Sequence, residues 1–305
     1  MPYIRLLRPA QWSKNVFLFA GLVFGHKLLD TQAVVASLLG FVCFCLLSGG
    51  VYAINDIRDR NEDKLHPRKC KRPVAAGQIS VASATTVAIV VLVAGLVGSY
   101  TLSWTFFLVG ALYLLLQSAY TFALKHVVLL DVILIGVGFV LRAIAGAAVV
   151  SVPISPWLVI CTFTLCLFMG FSKRRCELST LSENNGDVSL HRKTLTYYTP
   201  DLLNHFTTLT AGIAVVSFLL YATDARTVSA DGIGSNYLVY TLPVVVYAVF
   251  RFAYLVEHGM VDGPTDVLLR DPPFLVALIL WTICAVVIVY WGHDLRAWIH
   301  PPVSG

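Results

Sequence analysis

The chain has 305 residues, of which 57% are hydrophobic and only 13% charged. A soluble domain carries charge on about a quarter of its residues, so a mean hydropathy of +0.77 excludes that class and indicates a polytopic helical membrane protein. The net charge of +5 has meaning only once the cations are assigned to sides of a membrane.

Tyr3 to Trp12 alternates Ile4, Leu6, Leu7 and Trp12 with Arg5 and Arg8. That pattern suits a short helix lying in the membrane interface, a frayed tail being the plainer alternative. The first apolar run follows Arg5, Arg8 and Lys14 with no small-residue cleavage pattern, so it is expected to remain as a span. A hydrocarbon core of about 30 Å needs around twenty apolar residues per helix. Nine stretches qualify: 15–30, 32–54, 81–101, 104–124, 127–150, 155–171, 203–223, 236–257 and 273–293. The first is short, and it joins the second through a tight turn at Asp30-Thr31.

With the N-terminus inside, seventeen Lys and Arg fall on the cytoplasmic side and three outside (Lys27, Arg226 and Arg296), while Arg142 and Arg251 lie within spans. The positive-inside rule therefore places the N-terminus in the cytoplasm and the C-terminus outside. The two longest inner segments, 55–80 and 172–202, are also the most polar. Trp281, Trp291 and Trp298 fit an interfacial aromatic belt.

In the first inner segment, Asp56, Asp59 and Asp63 are spaced by three and four residues, which puts their carboxylates on one face of a helix. Three like charges so close repel unless a cation neutralises them. Mg²⁺ does so with one or two carboxylates plus phosphate oxygens of a substrate. Five basic residues and His66 follow between Lys64 and Arg72, as a metal-bound polyanion requires; positive-inside topology alone accounts for the cations but not for the ordered aspartates. Pro73 restricts the end of this stretch, and Gly77 permits a turn into the third span.

The second inner segment opens with Ser172-Lys173-Arg174-Arg175-Cys176-Glu177. Lys173 and Glu177 share a face if the sixth span continues as helix beyond the membrane, and the cations are then candidates for a second anion grip rather than topology signals alone. Arg142 sits among small residues, where a charge faces either a polar cavity or a partner, Asp131 being eleven residues earlier. Arg251 and Glu257 are expected to form a structural pair. Lys14 and Asn15, and likewise Tyr120 and Lys125, end spans at the level of the aspartates; snorkelling to headgroups is the plainer reading for Lys14. The seven cysteines contain no Cys-x-x-Cys pair and read as small buried apolar groups. Nothing here suits nucleic acid.

Asn-Asp-x-x-Asp-x-x-x-Asp at Asn55–Asp63, followed by His66-Pro67 and Arg72-Pro73-Val74-Ala75-Ala76-Gly77, resembles the UbiA superfamily of intramembrane prenyl-group enzymes, across essentially the whole chain. The resemblance implies one all-α transmembrane domain over residues 1–305, with nine helices around a cytoplasm-facing cavity in a cell (inner) membrane. Prenyltransferases of the family carry a second aspartate-rich motif in the later segment. Here that segment is basic, which resembles the decaprenyl-phosphate phosphoribosyltransferase branch. So do Gln11-Trp12-Ser13-Lys14-Asn15, Tyr120–His126 and Leu141–Gly146.

That branch implies transfer of phosphoribose from phosphoribosyl diphosphate (PRPP) to a polyprenyl phosphate, a Mg²⁺-dependent step of cell-envelope biosynthesis. Asp56, Asp59 and Asp63 are then the metal ligands, with Asn55 beside them. Arg68, Lys69 and Arg72 are candidates for the leaving diphosphate or the 5-phosphate. Lys173, Arg174 and Arg175 grip an anion, and Glu177 orients a cation or bonds a ribose hydroxyl. Lys14, Tyr120, Lys125 and Arg142 complete the substrate-binding set. A prenyltransferase using polyprenyl diphosphate and a transporter of a phosphorylated solute are the alternatives. Small-residue surfaces allow homo-oligomers.

Overall fold

The computed structural model describes residues 1–65, 69–183, 193–223, 235–261, 267 and 270–299; Arg68, His66 and Pro67 of the expected site lie outside them. All regular structure among the described residues is helical. In chain order come α1 (Pro2–Leu6), a 3₁₀ helix (Pro9–Leu18), α2 (Phe19–Phe24), α3 (Thr31–Arg58), α4 (Arg60–Leu65), α5 (Val81–Leu102), α6 (Trp104–Phe122) and α7 (Leu130–Val149). Then follow α8 (Pro156–Glu183), α9 (Pro200–Thr223), α10 (Leu242–Glu257) and α11 (Pro272–Ile299). The residues group into two compact units, Met1–Ile154 and Ser155–Gly305.

Among the described residues, eight helices are long and apolar enough to cross a membrane, and the chain is a multi-pass membrane protein. They coincide with the second to ninth expected spans. The first expected span, 15–30, is not a long α-helix. It begins inside the 3₁₀ helix Pro9–Leu18, which rises about 2.0 Å per residue and so covers about 20 Å in ten residues, and continues as the six-residue α2. The segment also packs backbone to backbone on α7: a Cβ added to Gly146 would lie 1.8 Å from Leu18 O, and one on Gly21 would lie 2.5 Å from Ala147 N. Only glycine permits that approach.

The first unit packs α3 along α5 and α6 along α7. Its core gathers Leu18, Leu22, Phe44, Leu47, Phe106 and Tyr113, with Phe44 tilted against both Phe106 and Tyr113 at centroid distances of 5.5 and 5.4 Å. Asp30 starts α3 by accepting hydrogen bonds from the Gln32 and Ala33 amides, and Ser80 starts α5 by accepting one from Ser83. With 28 residues, α3 is about 42 Å long, so it outruns a 30 Å core and carries its C-terminal end towards the polar boundary. Beyond it, Gly77 at φ 70° makes the turn that returns the chain to α5. The α1 helix is docked rather than frayed: Leu6 is fully buried with Ala53, Val74 and Ile79, and Trp12 Nε1 donates to Leu7 O at 3.1 Å.

The second unit centres on Phe168, Cys176, Ala211, Val249, Phe252 and Val256. Its α8, also 28 residues, continues past the apolar stretch through Glu177. The Arg251 partner differs from expectation. It is Asp271, not Glu257, in a two-point pair at 2.8 and 3.1 Å, and Asp271 also accepts from the Phe274 amide at the start of α11. The Arg251 guanidinium holds the Asp271 carboxyl below the usual carboxylate range. None of the seven cysteines forms a disulfide.

Candidate active site

Asp56 occupies the last turn of α3, Asp59 caps it, and Asp63 lies in α4. Helical hydrogen bonding crosses the join: the Asp59 amide donates to Asn55 O at 2.9 Å, and the Asp63 amide to Asp59 O at 2.8 Å. At about 100° per residue, positions 56 and 63 stand about 20° apart around the axis, while 59 is about 60° away from 56. The side chains sort accordingly. Asp56 and Asp63, both buried, share Arg72 Nη1, which lies 3.3 Å from Asp56 Oδ1 and 2.6 Å from Asp63 Oδ2. Asp59 instead takes Lys125 Nζ, at 2.9 and 3.1 Å from its two oxygens.

Asp56 has a further partner. Arg8 Nη2 donates to Asp56 Oδ1. Asp56 Oδ2 is buried and has no hydrogen-bond partner. Arg8 reads from sequence as a topology signal alone. Its contact with Asp56 spans 48 positions, and its left-handed backbone (φ 51°, ψ 64°) leaves no mark in residue type. Arg58, the neighbour of Asp59, serves structure: it donates to Phe122 O at 3.0 Å and lies over the Phe122 ring, tying the end of α3 to that of α6.

Among the described residues, no three His, Cys, Asp or Glu side chains gather into a metal cage. The donor set fits the other Mg²⁺ mode, in which one or two carboxylates bind the ion and phosphate oxygens complete its shell. Asp56 Oδ2 is the orphaned oxygen such an ion would satisfy, and Asp63 stands next to it across Arg72.

The other expected residues divide between groups. Lys69 belongs to a 3₁₀ turn whose Lys69 O accepts the Arg72 amide at 2.9 Å, so it positions Arg72. Tyr120 is half-buried in the last turn of α6. Arg142 is buried at 3% exposure, and its partners are neutral: Asn15 Oδ1 at 2.7 Å, Gly138 O at 2.9 Å and the Tyr113 hydroxyl at 2.8 Å. Its guanidinium also lies over the Tyr113 ring, 4.8 Å from the centroid. Asp131 is not among these partners. Lys14 lies close enough that burial first, then Arg142 and Arg8, push its amine down to about 8. In the second unit, Lys173 and Glu177 approach to 3.9 Å, and Arg174, itself buried, also pairs with Glu177. Arg175 Nε donates to Asn204 Oδ1 at 2.9 Å and joins α8 to α9. Two of the three adjacent cations therefore share Glu177 while the third turns to Asn204, and Lys173 is the most exposed.

The model of the UbiA prenyltransferase family matches residues 15–268. The chain belongs to the UbiA prenyltransferase family. Among this UbiA protein's relatives, the decaprenyl-phosphate phosphoribosyltransferase of Mycolicibacterium smegmatis is 34% identical over 290 residues, covering 91% of this chain and 89% of that one. The enzyme of the same name from Mycobacterium tuberculosis is 33% identical over 282 residues, covering 91% of each. A UbiA homologue from Archaeoglobus fulgidus, solved with GPP and Mg²⁺, superposes with a TM-score of 0.68 at 20% identity, over 97% of this chain and all of that one, and so shares its fold.

Proposed function

We propose that this UbiA-family protein transfers the 5-phosphoribosyl group of PRPP to a polyprenyl phosphate in a cell membrane, releasing diphosphate. The relatives of that name support the reading across nine-tenths of the chain. The observation that carries it lies in the 172–177 stretch, whose one carboxylate, Glu177, is engaged by Arg174 and Lys173. A donor bearing a prenyl diphosphate needs a second set of metal-binding carboxylates. This stretch offers cations instead.

In the proposed reaction, the bond from the ribose anomeric carbon to the diphosphate oxygen breaks, and diphosphate leaves with the electron pair. A lipid phosphate oxygen forms the new bond from the opposite face, so configuration inverts. That oxygen is already anionic at neutral pH, and no general base is required. Mg²⁺, when bound, neutralises the departing diphosphate. Asp56 and Asp63 would hold the ion; Asp59 would join them as Lys125 turns to a phosphate oxygen. Arg72, with Arg68 and Lys69 in the same stretch, would take charge from the diphosphate or the 5-phosphate, with Asn55 and Tyr120 as neutral hydrogen-bonding groups. Lys14 and Arg142, as cations without a carboxylate partner among the described residues, suit an anionic group, as does the second unit's Lys173–Arg175 run with Glu177. The cytoplasmic placement of the site and N-terminus rests on the seventeen-to-three division of cations. The 15–30 stretch is then the first of nine crossings, with Lys14 at its cytoplasmic start, and both units belong to one catalytic domain.

Label transfer tests this. With PRPP labelled in the ribose, decaprenyl phosphate and Mg²⁺, label should enter the lipid fraction. Label entering lipid only from a polyprenyl diphosphate would refute the assignment, and uptake of PRPP into proteoliposomes without turnover would indicate a transporter.

A further inference from the structure

Beside Asp56 opens a cavity of about 220 Å³, lined by Arg5, Arg8, Asp56, Lys71, Arg72 and Pro73. Four cations face one carboxylate there. Arg5 closes the rim by donating to Lys71 O at 3.4 Å. Arg8 and Arg72 both reach Asp56 Oδ1, so a single buried oxygen fixes two guanidiniums side by side while Oδ2 remains for another ligand. Arg8 holds this place from a left-handed backbone, a conformation that L side chains rarely adopt. The charge left after Asp56 and Asp63, the second carboxylate on Arg72, suits a compact dianion, and a phosphate monoester carries about −1.5 to −2 at neutral pH.

We propose that this cavity is a phosphate-monoester subsite, with Arg5, Arg8, Lys71 and Arg72 as its ligands. It receives the phosphate that the sugar donor carries away from its diphosphate, and so selects donors bearing both groups. The inference rests on Asp56 serving a sugar diphosphate through its other oxygen. A polyprenyl phosphate is also a monoester. Of the six lining residues, however, only Pro73 is apolar, so the cavity offers a lipid tail almost no apolar surface. The donor is therefore the occupant.

Calorimetric titration of the full chain in detergent distinguishes the outcomes, with ribose 5-phosphate in the absence of metal and with diphosphate plus Mg²⁺. Wild type should bind both. The double variant Arg5→Ala/Lys71→Ala changes two exposed side chains, so folding is spared. It should weaken ribose 5-phosphate about tenfold or more and leave Mg²⁺-diphosphate within about twofold. Arg8→Lys, which keeps the charge but loses the fork, should weaken ribose 5-phosphate as well. Unchanged ribose 5-phosphate binding in the double variant overturns the subsite, as does a requirement for metal; displacement by decyl phosphate at concentrations where inorganic phosphate fails overturns the donor as its occupant. If wild type binds Mg²⁺-diphosphate but not ribose 5-phosphate, the subsite alone is wrong. If it binds neither, the parent reading falls with it.

Discussion

Asp56 ties Arg8 of the N-terminal arm to Arg72 through one oxygen and keeps the other unpartnered, the oxygen proposed for the metal. Asp56→Asn should therefore lower turnover by at least about a hundredfold and weaken the response to Mg²⁺, measured as rate against Mg²⁺ concentration. Arg72 matters to stability too. Removing it strands Asp63, whose carboxylate is 3% exposed, and a broken buried pair costs about 3–5 kcal/mol. Arg72→Ala should lower the melting temperature in detergent, and adding Asp63→Asn should restore part of the loss. Lys14 makes a pH prediction. Its folded value of about 8 lies below its ordinary 10.5, so the protonated amine costs stability below about pH 8, a cost that disappears as pH rises from 8 towards 10.5. Anion binding has the opposite dependence, because a phosphate favours the protonated amine. The apparent KM for one anionic substrate should rise from pH 8 to 9, and in Lys14→Arg that rise should vanish. The aspartates were legible at this scale because helical spacing is local. Arg8 and the Asn15–Arg142 contact were not, since they join positions 48 and 127 residues apart.

Among elements, the helices α3 and α8 exceed the thickness of a bilayer core, which puts the acidic and basic clusters at their polar ends. Both extensions followed from the point where apolar character stops and charge begins. The 3₁₀ course of Pro9–Leu18 did not, because hydropathy measures length and apolarity, not winding. What holds that segment is the approach of its backbone to Gly146, a tertiary fact that a small residue permits but does not announce. Gly146→Val should cost about 3 kcal/mol or more by overpacking, seen as a lower melting temperature, while a residue of the lipid face such as Val90 (59% exposed) should accept Val90→Ile without loss. In the second unit, the pairing of Arg251 with Asp271 over Glu257 shows the same limit: sequence proximity favoured a neighbour, and the fold supplied a two-point partner at the start of α11.

For the whole molecule, the eight long apolar helices found among the described residues were legible in hydropathy, and the sequence division of the cations makes a sidedness expectation. Sidedness is directly testable. In a background without native cysteines, Leu65→Cys (parent residue 88% exposed) should react with an impermeant maleimide only in inverted vesicles, and Leu29→Cys (76% exposed) only in right-side-out ones. The reversed pattern would invert the topology and put the aspartates beyond reach of cytoplasmic PRPP. The central claim is that these aspartates receive a metal-bound sugar diphosphate. Anomalous scattering from Mn²⁺ bound together with PRPP locates that ion. The account predicts one peak at ligand distance from Asp56 Oδ2, with the diphosphate attached and the 5-phosphate among Arg5, Arg8 and Lys71. A peak elsewhere, with Asp56 still held only by its arginines, would contradict it.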